Sequence, residues 1–256
     1  MDSIALLFLA LGLIVGSFLN VCIYRLPRRE SVNWPASHCT TCSRSLDWYE
    51  NVPVVSWLVL RGKCANCKAP ISARYPGVEI LTAALSVLVA WRFGYSSALA
   101  FSLVYVWALV ALTFIDFDTQ LLPDDITLPL LWLGIFANVF GVFTDLRSSV
   151  FGAIGGYLIL WSVYWMFRLI AKKEGMGFGD FKLLAAIGAW LGWQVLPFVI
   201  VVSAGLGAIL GSLALYLAKK GTDTRIPFGP YLALGGIVAL IWGREAVIAW
   251  LGHWPA

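Results

Sequence analysis

The stretch that decides the fold runs from Ala98 to Asp125 and reads ALAFSLVYVWALVALTFIDFDTQLLPDD. Its first 18 residues, Ala98 to Ile115, carry no charge, close to the roughly 20 residues a helix needs to cross a bilayer. The run ends on Asp116, and Asp118, Asp124 and Asp125 follow. A carboxylate at the edge of an apolar span is expensive to keep there, so Asp116 reads as functional before it reads as structural.

The same pattern repeats outward from this stretch. Apolar segments at 4–24, 77–93, 97–115, 126–143, 150–170, 181–193, 195–218 and 231–250 predict an all-α polytopic membrane protein of about eight transmembrane helices, with membrane lipid as its surroundings. The segment 181–193 is the shortest. Composition agrees: 60% of the 256 residues are hydrophobic, only 12% are charged and the mean hydropathy is +0.83, where a soluble domain carries about 25% charged residues. The first run opens after Asp2 and is followed by Arg25, Arg28 and Arg29. That is the reverse of a cleaved signal peptide, so a retained first helix is expected.

Lys and Arg set the orientation. With the N-terminus outside, 15 of the 18 fall on the cytoplasmic side, leaving Arg92, Arg147 and Arg244 outside. This asymmetry accounts for the net charge of +4, and nucleic acid is not an expected partner. The same alternation puts Asp116 and Asp180 at cytoplasmic helix ends.

One connection is long. The expected organisation is a first transmembrane helix (1–24), a cytoplasmic loop (25–76) and a membrane core (77–256). The loop holds Cys39, Cys42, Cys64 and Cys67 as two Cys-x2-Cys knuckles separated by 21 residues. That spacing reads as a tetrahedral four-thiolate zinc site, because a reducing compartment disfavours disulfides. Four thiolates leave no position open for water, so the zinc is expected to be structural, folding a small zinc-binding loop domain between helices 1 and 2. His38 is expected to be a bystander, and Cys22 a buried apolar residue.

Asp180 lies in Gly175–Lys182, GMGFGDFK. Glycines at 175, 177 and 179 let a backbone approach closely. No βαβ unit surrounds them, which excludes a nucleotide loop. Two carboxylates that share one proton can perform acid–base chemistry, the ionised one drawing a proton from water and the protonated one polarising a scissile carbonyl. Asp116 and Asp180 are the candidates for an aspartyl protease, although 64 positions of sequence separate them. Asp124 and Asp125, at the start of the next helix, read as helix caps, and Asp118 as solvated. The competing class is a proton-coupled transporter using the same aspartates. Both acids lie at one face, however, and no acid chain continues across the membrane. The pairs Gly12/Gly16, Gly152/Gly156 and Gly207/Gly211 have the spacing of helix-packing contacts. Glu79, at membrane depth, has no assigned role.

Taken in order, Gly16-Ser-Phe-Leu-Asn-Val, both cysteine knuckles, Asn51-Val-Pro-Val-Val-Ser-Trp-Leu, Arg74-Tyr-Pro-Gly-Val-Glu79, the aspartate loop ending Leu-Pro-Asp124, Gly177-Phe-Gly-Asp-Phe-Lys-Leu183 and Pro227-Phe-Gly-Pro-Tyr231 resemble the type IV prepilin peptidases. These are membrane aspartyl proteases of the Gly-x-Gly-Asp type from type IV pilus and type II secretion systems. The resemblance implies that Asp116 and Asp180 are catalytic, with Gly177, Gly179 and Lys182 as supporting motif residues. It implies type IV prepilins or type II secretion pseudopilins as substrates, cut after a Gly that ends a short basic leader, at the cytoplasmic face of the bacterial inner membrane. It also implies N-methylation of the new N-terminus from S-adenosylmethionine, with the cofactor held in or beside the zinc loop by residues the motifs do not name. A peptidase lacking methyltransferase activity is the variant reading.

Overall fold

The computed structural model describes residues 2–172, 176–217 and 227–252. Gly175 of the glycine loop and the basic residues Lys173, Lys219, Lys220 and Arg225 lie outside them. Among the described residues there is no β-strand, only two isolated β-bridges in the cysteine loop. The helices are α1 (Asp2–Arg25), α2 (Val55–Val59), α3 (Arg74–Phe93), α4 (Ser97–Thr119), α5 (Asp124–Val139), α6 (Leu146–Ala171), α7 (Phe178–Leu191), α8 (Leu196–Leu217) and α9 (Gly229–Leu251). All but the short α2 coincide with an apolar segment of the sequence. Among the described residues, five stretches are long and apolar enough to cross a membrane: Ile4–Arg28, Arg74–Phe93, Ser97–Thr119, Leu146–Ala171 and Trp193–Leu213. Gly229–Gly243 is a shorter apolar stretch. The protein is therefore helical and of membrane character, and α6 shows why. It turns Phe151, Ile154, Leu158, Leu169 and Ile170 outward, a face that water would not tolerate in bulk.

The chain divides into two compact units, Met1–Ala111 and Leu112–Ala256. In the first, α1 packs on α3 through glycine. A methyl group at Gly12 would lie 2.5 Å from the Ala83 Cα, and one at Gly16 would lie 2.6 Å from the Glu79 Cα. The two backbones touch, as small residues at this spacing allow.

The second unit is organised around α7, which is packed by α5, α6, α8 and α9. Every residue from Leu183 to Leu191 is buried. At 1.5 Å per residue its 14 residues span about 21 Å, short of the roughly 30 Å hydrocarbon layer. Neighbouring helices, not lipid, surround it. Its C-terminal carbonyls are satisfied by side chains, as a buried helix end requires. The Asn138 amide donates to Ala189 and Trp190 oxygens, both at 2.9 Å, and Ser149 Oγ donates to Ala189 at 2.5 Å. Trp190 itself fills the space opposite Gly134 and donates to the Leu130 carbonyl at 2.7 Å.

The α6–α7 contact is again glycine on backbone. A methyl at Gly156 would lie 2.5 Å from the Leu184 oxygen, and Gly152 and Gly188 each sit against the other's carbonyl. Gly207 of the third expected pair meets only the Tyr231 ring, at 3.3 Å. Gly188→Ala is expected to destabilise by about 1–3 kcal/mol through overpacking, seen as a lower unfolding temperature in detergent. Gly205→Ala, with nothing within 4 Å, provides the control. Equal midpoints for the two variants would show that the contact has slack.

Candidate active site and metal-binding loop

Within the second unit, Asp116 and Asp180 arrive from different helices and both are buried, 5% and 6% exposed. Asp116 occupies the last turn of α4, and its Oδ2 accepts the N–H of Gly229, the first residue of α9, at 2.9 Å. Asp180 is the third residue of α7, and its Oδ2 accepts the N–H of Gly177 at 3.2 Å. Each carboxylate thus satisfies an otherwise orphan N–H at a helix start, where the dipole favours negative charge. Leu122 links their surroundings, lying against Gly179 next to Asp180 and against Gly229, whose N–H bonds Asp116.

Leu122 sets the spacing. A methyl at Gly179 would meet its Cβ at 2.7 Å, and one at Gly229 would meet its Cδ1 at 3.2 Å. The glycines let the aspartate loop lie directly on the starts of α7 and α9. Gly229 is also 2.7 Å, by the same construction, from Asp116 Oδ2. Gly229 and Leu122 stand in the sequence only as members of motifs, with no role assigned to either. The visible signal was the Phe-Gly-Pro turn at the start of an apolar run.

The remaining acids separate from the pair. Asp118, Asp124 and Asp125 are exposed. Asp124 was expected to cap α5, but the residue preceding α5 is Pro123, whose carbonyl accepts the Ile126 and Thr127 N–H groups. The Asp124 carboxylate instead accepts from Lys182 Nζ at 2.6 Å. So exposed a pair contributes at most about 1 kcal/mol, but it ties the start of α5 to the N-terminal half of α7.

In the first unit the four cysteines converge, their sulfurs all within 4.8 Å of one another. His38 is not among them; its Nδ1 lies 3.2 Å from the Ala36 oxygen. The two knuckles are built alike. In one, Ser43 N–H bonds the Cys39 oxygen and Cys39 N–H the Arg44 oxygen; in the other, Lys68 bonds Cys64 and Cys64 bonds Ala69 in the same way. Ser43 and Lys68 both have positive φ, 56° and 60°. The N–H groups of Cys42 and Thr41 hold the Cys39 thiol below the ordinary thiol range. Those of Cys67 and Asn66 do the same for Cys64, and the Arg44 N–H with the Asn66 side chain for Cys42. Cys67 accepts from Ala69, which favours its thiolate, but burial and the three neighbouring sulfurs push it up to about 11. A bound cation would displace the thiol protons and leave four thiolate ligands. The donors fit a metal ion.

The comparisons with known proteins fall on both units. Residues 10–93 match the family model described as the bacterial Peptidase A24 N-terminal domain, and residues 103–212 match that of the type IV leader peptidase family. A Stutzerimonas stutzeri protein named prepilin leader peptidase/N-methyltransferase is 49% identical, covering 95% of this chain and 92% of its own.

This chain belongs to the type IV leader peptidase family.

Other relatives of the same name come from Pseudomonas aeruginosa, 49% identical over 94% of this chain and 91% of its own, and Legionella pneumophila, 42% identical over 97% and 96%. No solved structure matches. The family models together reach from the α1–α3 unit with its cysteine cluster to the helices that carry both aspartates.

Proposed function

We propose that this protein cuts the short basic leader of type IV prepilins and type II secretion pseudopilins after its terminal Gly, using Asp116 and Asp180, and then N-methylates the new N-terminal residue. The observation that carries the proposal is the meeting of two buried carboxylates from α4 and α7. The ionised member takes a proton from water, and the protonated member donates to the scissile carbonyl oxygen as the tetrahedral centre forms. The proton returns to the leaving amine. The Gly177 and Gly229 N–H groups hold one oxygen of each carboxylate in place, so the free oxygens are aimed rather than rotating. Supporting the assignment of both activities are the names of the relatives across nearly their whole length.

The chain is read as about eight transmembrane helices in the bacterial inner membrane, α7 being short for a full crossing, with the N-terminus outside and the aspartates facing the cytoplasm. The Lys and Arg distribution supports this orientation. The cysteine cluster is read as a structural zinc site. Its Cys39–Cys67 sulfur separation of 3.8 Å equals the edge of a tetrahedron with metal–sulfur bonds of about 2.3 Å. S-adenosylmethionine supplies a methyl group on sulfonium sulfur when bound. A cavity of about 360 Å³ between α1, α3 and the cysteine loop is of the size that small-molecule sites occupy, and Asn20, Trp57 and Tyr75 line the wall that would hold the cofactor.

Mass spectrometry of a co-expressed prepilin tests the whole reading. A chain starting just after the Gly and one methyl heavier than the free amine supports both activities. A shortened chain without the methyl keeps only the peptidase, and uncut precursor removes both. Gly229→Ala offers a finer test, because its methyl must displace the Asp116 carboxylate. Cleavage is expected to fall about tenfold or more, as a misplacement near 1 Å does, with the fold intact by circular dichroism. Undiminished cleavage would remove Gly229 from the site.

A further inference from the structure

Glu79 is the acid for which the sequence offered no role. It is buried, 7% exposed, on α3 where Gly16 brings α1 against it. It is also one of three charged side chains lining the cavity, with Arg25 and Glu50. The other two are committed elsewhere. Arg25 donates to the carbonyls of Ser31, Val32 and Ala36 and anchors the loop. Glu50 accepts from Arg44 and from the Asp47 N–H. Among the described residues no cation pairs with Glu79. It accepts the Val54 N–H at 2.7 Å, and the Ser17 hydroxyl lies beside it.

The Val54 contact is itself unusual. Val54 holds φ 61° and ψ −49°, a tight-turn conformation that a β-branched residue avoids. Such strain persists only where the surroundings over-determine it. Here it turns the Val54 N–H onto the carboxylate and fixes it at the cavity wall. A buried carboxylate without a cation is costly, and the ligand best able to relieve that cost is an ammonium group.

We propose that Glu79 receives the new N-terminal amine of the cleaved substrate in this cavity and takes its proton before methyl transfer. The inference rests on the methyltransferase reading above. An N-terminal ammonium has no lone pair, and its ordinary pKa near 8 leaves it mostly protonated at neutral pH. Glu79 carboxylate accepts one proton from R–NH3+ to give the carboxylic acid and R–NH2. The nitrogen lone pair then forms the bond to the methyl carbon, the carbon–sulfur bond breaks, and its electron pair stays on sulfur as a neutral thioether. The product is R–NH2–CH3+, and charge balances at each stage.

The test uses full-length Glu79→Gln with co-expressed prepilin. Expected are cleavage within about twofold of wild type, mature chains at least tenfold depleted in the added methyl, and unchanged binding of S-adenosylhomocysteine by calorimetry. Glu79→Asp is expected to recover part of the methylation. Methylation at the wild-type level in Glu79→Gln overturns the proposal. Lost S-adenosylhomocysteine binding overturns it as well, by assigning the carboxylate to the cofactor's own amine. Lost cleavage together with lost metal makes Glu79 structural. If wild type itself adds no methyl, the methyltransferase reading fails along with the proposal, and that control separates the two failures.

Discussion

Asp180→Asn is expected to leave a co-expressed prepilin uncut, with the protein folded and in normal amount. Asn matches Asp in shape, and its amide oxygen still accepts the Gly177 N–H that Asp180 accepts at 3.2 Å. The start of α7 is therefore preserved. Asn cannot ionise and cannot pass a proton, so the pair loses its chemistry. General acid–base groups contribute about 10²–10⁴-fold each, and loss of one disables its partner. Asp116→Asn, which keeps the Gly229 hydrogen bond, is expected to match it, and the double variant to be no worse than either single. Wild-type cleavage should follow a bell in pH. It falls on the acid side as the ionised carboxylate takes up a proton, and on the alkaline side as the shared proton is lost. Normal processing by either single variant would sink the assignment.

Cys64→Ser is expected to empty the loop of metal, read as metal per chain by plasma mass spectrometry. Cys64 is the most buried ligand, 2% exposed, and a serine hydroxyl is a poor substitute for a thiolate. Binding to such sites supplies about 10–16 kcal/mol of folding free energy in small zinc peptides, far more than the loop's few apolar contacts. Protease cuts should then appear between Ser37 and Ile71, while α1 and α3 stay paired through Gly12 and Gly16. Cys22→Ser, outside the cluster, should retain the metal. Equal metal content in Cys64→Ser and wild type would dissociate the cluster from metal binding.

The apolar segments were legible because a lipid surrounding demands continuous runs whose backbone bonds are closed internally. Each long helix fell on its segment within a few residues. The expected 181–193 became Phe178–Leu191, shifted because the helix starts in the glycine loop and is enclosed by protein. The cysteine knuckles were legible because ligand spacing is local. The meeting of Asp116 with Asp180 was not, since it depends on Leu122 seating between Gly179 and Gly229, a contact that no spacing rule encodes. Lys182 appeared only as a motif residue, and its pairing with Asp124 required the starts of α5 and α7 to meet. Glu79 stayed unexplained for the same reason. Its cavity exists only when α1, α3 and the folded loop come together.

The mutual contact of Gly152 and Gly188 has a genetic consequence. Each residue is already the smallest available, so a bulky substitution at one position has no compensating reduction at the other. Suppressors of Gly188→Ala should therefore never arise at residue 152. They should map to larger side chains elsewhere along α6 and α7, changes that push the two helices apart.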